Sequence, residues 1–89
     1  MVISPSVGRV VLYYTRGKAQ HDAGEQPCAA TVAFVHSDRL VNVGFLDHNG
    51  KPGQATSVPL VQPDDVVPEH PFCRWMDWQI EMARRQAAG

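Results

Sequence analysis

The stretch CAATVAFVHSDRLVNVGFL (residues 28–46) is the clearest indication of the fold, because it holds two strand-like runs with only Ser37 and Asp38 between them. In both runs, large hydrophobic residues alternate with smaller or polar ones. Alternation with a period of two is typical of an antiparallel sheet that buries one face. The stretch therefore predicts a β-hairpin at the centre of the chain.

Further strands are expected on both sides of this hairpin. Residues 7–14 (VGRVVLYY) are rich in β-branched and aromatic residues and predict a first strand. Residues 54–61 (QATSVPLV) predict a fourth strand, in which Pro59 indicates an edge or a bulge because proline has no N–H. The polar residues 15–27 between the first two strands predict a long loop. The alternation places these residues in the core: Val32, Phe34, Val41, Val43, Phe45, Val58 and Leu60.

The end of the chain has a different pattern. Residues 62–71 (QPDDVVPEHP) are rich in proline and charge and predict an extended linker. Hydrophobic residues then recur at spacings of three and four, which predicts a helix over about residues 74–86. A helix of this length is marginal in water by itself. We therefore expect it to pack either on its own barrel or on a second chain.

These elements predict a mainly β fold, namely a small SH3-like antiparallel barrel of four or five strands with a C-terminal helix. The barrel is expected at residues 1–61, the linker at 62–71 and the aromatic helical tail at 72–89, all within one domain. An OB-like barrel is the alternative, although it normally needs longer strands. A chain of 89 residues has room for one core.

The composition limits the classes of function. Hydrophobic residues make up 44% of the chain and charged residues 19%, as in a folded globular domain. The formal net charge of −1 lacks the basic excess of a dedicated duplex-DNA binder. No run is long enough to span a bilayer and the N-terminus lacks a signal pattern, so we expect no membrane association and a cytoplasmic location. Cys28 and Cys73 are expected there as thiols, although their number also allows one disulfide.

No motif in the chain indicates catalysis or a bound cofactor. The four histidines are scattered, and neither CxxC nor HxxxH spacing occurs, so we expect no metal site. Neither cysteine has the local context of a nucleophile, and Asp64 and Asp65 lie in the proline-rich segment, where carboxylates are usually solvated. We therefore expect no enzymatic activity.

Two sets of residues are candidates for binding. Tryptophan is enriched at interface hot spots, and aromatic residues beside the early loop of an SH3-like barrel can line a peptide groove. The candidate protein-interaction residues are Tyr13, Tyr14, Arg16, Phe72, Trp75, Trp78 and Met82. Basic residues interleaved with aromatic ones can instead bind single-stranded nucleic acid. The residues of that alternative are Arg9, Tyr13, Tyr14, Arg16 and Lys18.

Three segments carry a resemblance to a known group of proteins: AATVAFVHSDRLVNVGFLDHNG (residues 29–50), TSVPLV (56–61) and CRWMDWQ (73–79). In their order along residues 7–79, they resemble small proteins encoded by phages and prophages. The resemblance implies an SH3-like barrel in a phage or prophage setting, and it implies no catalytic residues. We therefore expect a non-enzymatic interaction or assembly module that binds another protein or itself. The alternative is a weak single-stranded nucleic-acid-binding barrel.

Overall fold

The computed structural model describes residues 1–88, in which five strands form a closed barrel in the order β1-β2-β3-β4-β5. The strands are β1 (Val10–Tyr14), β2 (Cys28–Ser37), β3 (Leu40–Leu46), β4 (Pro52–Val61) and β5 (Phe72–Arg74). A short helix, α1 (Lys18–Asp22), follows β1, and α2 (Asp77–Ala88) follows β5. The predicted fold class, a small SH3-like β-barrel with a C-terminal helix, is confirmed.

The predicted loop of residues 15–27 contains α1. The buried side chain of Gln20 holds this segment together, because its Oε1 accepts a hydrogen bond from the Arg16 N–H at 3.1 Å and its Nε2 donates to the Gln26 carbonyl at 2.9 Å. Gly17, before the helix, has a φ of 66°, and a Cβ there would lie 2.0 Å from the Glu69 carbonyl oxygen. Only glycine fits this approach of two loops.

A β-bulge in β2 changes which residues face the core. Val32 pairs with Val43, but Phe34 pairs with Asn42, so β2 has one more residue than β3 over this interval. An extra residue interrupts the alternation of side chains between the two faces. Phe34 is consequently 53% exposed, and the prediction that it lies in the core is wrong.

The other predicted core residues lie on the interior side. Phe45 is only partly buried, with its ring centroid 4.9 Å from that of Tyr13. The fully buried members of the predicted set are Val32, Val41, Val43, Val58 and Leu60. On β1, Val11 and Tyr13 join this main core, whereas Tyr14 stacks on Phe72 in a second cluster with a centroid distance of 4.9 Å.

The short strand β5 closes the barrel. Cys73 pairs with Tyr13 of β1 in the antiparallel direction and with Leu60 of β4 in the parallel direction. The barrel therefore includes residues beyond 61, where the sequence analysis ended it, and residues 62–71 connect two of its strands. Position 74, which the hydrophobic spacing assigned to a helix, ends β5, and α2 begins three residues later at Asp77. Local spacing cannot reveal a strand whose pairing partners are distant in sequence.

The start of α2 is fixed to the barrel by Gln79 and Ile80, which are both buried. The Oε1 of Gln79 accepts a hydrogen bond from the Met76 N–H at 2.7 Å, as at the start of a capped helix. Its Nε2 donates to the Val10 carbonyl at 2.8 Å. After Ile80, every residue up to position 87 is exposed except the partly buried Ala83. Most of α2 thus extends away from the barrel.

Two phenylalanine variants test this assignment of the core. Phe72→Ala should lower the free energy of unfolding by about 3–5 kcal/mol, because Phe72 is fully buried. Phe34→Ala, the matched control on a strand, should lower it by less than about 1 kcal/mol because Phe34 is half exposed. Urea unfolding followed by circular dichroism measures both changes. Equal losses in the two variants would contradict the bulge.

Candidate functional site

Most of the aromatic residues predicted to bind a partner lie inside the molecule. Tyr13 and Tyr14 are 8% exposed, and Phe72 and Trp75 are 0% exposed. Their rings form the two hydrophobic clusters of the barrel. They cannot stack on a nucleic-acid base or contact a peptide unless the barrel opens.

The basic residues predicted near β1 do not form one patch with these rings. Arg16 pairs with Glu25 and Lys18 pairs with Asp22, so neighbouring carboxylates compensate both charges. The Arg9 guanidinium lies 5.2 Å from the centroid of the Trp75 ring, in a cation–π arrangement. The residues predicted to bind nucleic acid therefore do not form one surface. The two tyrosines are buried, Arg16 and Lys18 are ion-paired, and Arg9 lies over the ring of Trp75.

Two of the predicted interaction residues do form a surface, which we call the helix face. Trp78 is 62% exposed and Met82 is 45% exposed. Residues four apart lie on the same side of a helix, so these two side chains are neighbours on α2. Glu81 and Arg85 beside them form an ion pair of 2.9 Å. The helix face is therefore an apolar surface whose adjacent charges already have partners.

A second apolar surface, which the sequence analysis did not predict, is a groove of about 400 Å³ on the outside of strands β1 to β4. None of the residues that line it is charged. The most exposed hydrophobic side chains in it are Val10 (41%) and Leu46 (50%). We call this surface the sheet groove; its exposed lining residues are Val10, Ala29, Thr31, Gly44, Leu46 and Pro52.

Gly44 keeps the sheet groove open. It lies within β3, where it pairs with Thr31 on one side and Gln54 on the other. Its φ is not in the positive range, and the nearest atom to an added Cβ would be the Gly53 carbonyl oxygen at 3.9 Å. Neither the backbone nor the packing requires glycine here. A glycine inside a strand weakens it and often marks a place where another group approaches closely, which is the signal in the sequence that could have located this groove.

The two cysteines are structural. Both pair with Tyr13, from opposite sides within the sheet, and both are free thiols. Burial raises the pKa of Cys73 to about 12 and also raises the pKa of Cys28, with the Asp47 carboxylate adding to the second effect. Since the thiolate is the reactive form, neither is activated as a nucleophile near neutral pH.

The described part of the chain contains neither a cluster of metal-ligating side chains nor a helix that could span a membrane. No group of three or more histidine, cysteine, aspartate or glutamate side chains within residues 1–88 is placed to hold a metal ion. In the same range, neither helix is both long and apolar enough to cross a bilayer.

Comparison with models of protein families, with curated proteins and with solved structures found no match. The two candidate surfaces are defined by the chain's own geometry. The two apolar surfaces are linked in that geometry, because Gln79 on α2 donates its hydrogen bond to the carbonyl of Val10, which lines the groove.

The state of Cys73 predicts how stability depends on pH. A thiol with a pKa near 12 keeps its proton in the folded chain, whereas the unfolded chain loses it near the ordinary value of 9.0. The contribution of the protonated Cys73 thiol to the free energy of unfolding is therefore fully present below pH 9.0 and is lost as pH rises toward 12. Urea unfolding at increasing pH should show this loss of stability. The loss should be smaller in Cys73→Ala, and the difference between the two proteins separates the contribution of Cys73 from that of the tyrosines.

Native Cys73 should also react much more slowly with a thiol reagent than unfolded Cys73. Rapid labelling of the native protein would contradict the burial of this thiol.

Proposed function

We propose that this chain is a non-enzymatic protein-interaction or assembly module whose docking element is the helix face, and that it acts in a bacteriophage or prophage setting. The observation that carries the proposal is the 62% exposure of Trp78 on a helix fixed to the barrel only near its start. The proposed setting rests on the sequence resemblance described above.

The exposure of Trp78 and Met82 supports a protein partner for energetic reasons. Large apolar side chains grouped on a surface leave water when a partner covers them, and this contributes favourable free energy. Tryptophan is among the residues that contribute most at protein interfaces. Isolated helical turns are also marginal in water, so the exposed part of α2 gains stability when it is covered.

The location of the other candidates supports a protein rather than a nucleic acid as partner. Stacking on bases requires accessible rings, and both tyrosines of the nucleic-acid hypothesis are buried. Phosphate binding requires available cations, and Arg16 and Lys18 have carboxylate partners. Docking of a protein on the helix face requires no such exposure of rings or release of cations, because its two apolar side chains are already exposed.

Substitution of the helix face tests the proposal. The double variant Trp78→Ala/Met82→Ala should keep the melting temperature of the parent within a few degrees, because neither side chain belongs to the buried clusters. It should weaken self-association, or the binding of a captured partner protein, by about tenfold or more. Sedimentation over a range of concentrations measures the first, and affinity capture followed by titration of the purified partner measures the second.

The matched control is Val66→Ala, which removes an apolar side chain that is 89% exposed and lies outside α2. This variant should associate like the parent. If the double variant retained every association of the parent protein, the helix face would not be the docking element and the proposal would fail.

A further inference from the structure

We propose that Asn49 is a site of spontaneous covalent modification, at which the backbone amide of Gly50 displaces the side-chain amide of Asn49 and water completes a deamidation. The site is the turn between β3 and β4, residues 47–51 (DHNGK). It lies outside both the helix face and the sheet groove. The inference therefore goes beyond the proposed function and does not depend on it.

The pairing of Asn49 with a following glycine favours this reaction for a steric reason. The backbone nitrogen of the next residue must reach the Cγ of the asparagine, and glycine has no Cβ to hinder that approach. The chain contains two asparagines, and only Asn49 precedes a glycine. The other, Asn42, precedes Val43, whose branched side chain crowds the amide nitrogen.

The fold leaves this pair of residues accessible. Asn49 and Gly50 are both exposed at the tip of the hairpin. Gly50 has a φ of 80°, and a Cβ added to it would meet no atom within 4 Å. The five-membered ring of the intermediate therefore has open space around it, and water and hydroxide can reach it from the solvent.

The hydrogen bonds of the turn restrain the reaction. The Gly50 N–H donates to the Asp47 carbonyl at 2.9 Å, so the attacking nitrogen is occupied while the turn is closed. The Asp47 carboxylate keeps the turn closed, because its Oδ1 accepts the N–H of Asn49 at 2.9 Å and that of Lys51 at 2.8 Å. All of these bonds lie at the surface, where segments open locally at little cost in free energy. Opening of the turn therefore releases the Gly50 amide for attack.

The reaction has two steps that balance. Hydroxide removes the Gly50 amide proton, the nitrogen forms a bond to Cγ of Asn49, and the Cγ–Nδ2 bond breaks, so that ammonia leaves after taking a proton from water. Water then opens the succinimide ring. Cleavage of the new bond to Cγ gives aspartate, whereas cleavage of the bond to the main-chain carbonyl carbon gives isoaspartate, in which the backbone runs through Cγ. Either product adds one negative charge to the formal net charge of −1.

The two products differ in their effect on the hairpin. Isoaspartate adds one carbon to the backbone of a turn whose ends are held by the pairing of Leu46 with Pro52 and by the bond from the Asp47 N–H to the Lys51 carbonyl at 2.9 Å. The longer backbone does not fit these pairings, so we expect this product to melt at a lower temperature than the parent. Aspartate keeps the length of the backbone, and the variant Asn49→Asp should melt like the parent.

Incubation of the folded parent protein at mildly alkaline pH tests the inference. Ion-exchange chromatography separates the more acidic products, and mass spectrometry of their peptides locates the change and distinguishes aspartate from isoaspartate. We expect both products at position 49. We expect neither at Asn42, the internal control, which lies inside β3 with its Oδ1 accepting the Ser57 N–H at 2.7 Å.

Variants of Asp47 test the restraint. Asp47→Ala removes both side-chain hydrogen bonds and should speed the conversion of Asn49 by about threefold or more, whereas Asp47→Ser keeps a hydroxyl acceptor and should stay nearer the parent rate. Equal rates in Asp47→Ala and the parent would overturn the role of Asp47. The measurement on the parent needs neither variant. A folded parent that shows no conversion while the urea-unfolded chain converts completely would overturn the inference, and so would equal conversion of Asn42 and Asn49.

Discussion

The three residues of β5 make the contact that closes the barrel. They pair with β1 on one side and with β4 on the other, and so convert an open sheet into a barrel. Phe72 and Cys73 of this strand and Trp75 directly after it are completely buried. A domain of this size has a free energy of unfolding of only about 5–15 kcal/mol, so the loss of one of these large contacts would remove much of it.

Closure by β5 also explains why the helix face is exposed. Trp75 enters the core at the end of the strand, and the chain then turns into α2 with Gln79 bonded to the Val10 carbonyl. Residues 79 and 80 face the barrel, which leaves Trp78 and Met82 on the opposite side. The same anchor that attaches the helix to the barrel therefore determines which of its apolar residues remain in water.

In the described part of the chain, the thiols and most of the aromatic rings are kept away from the accessible surface. The thiols and most of the aromatic rings lie in the clusters of the barrel, where they contribute packing and where burial keeps Cys73 protonated. Among the exposed apolar side chains, Trp78 and Met82 form the helix face, and Val10 and Leu46 lie in the sheet groove.

The elements that depend on neighbours along the chain could be predicted from the sequence. The alternation in residues 28–46 predicted β2 and β3 correctly, and the spacing after residue 76 predicted most of α2. The tertiary structure decided the rest. The bulge beside Ala33 moved Phe34 to the surface, and pairing between Tyr13 and Cys73 turned part of the expected helical tail into a strand. Burial of Tyr13, Tyr14 and Trp75 removed them from the candidate binding surface. Gly44 lines a groove only because the flanking strands lie on either side of it. Strand pairing and burial join residues far apart in sequence, whereas the periodicity of hydrophobic residues reports only local geometry.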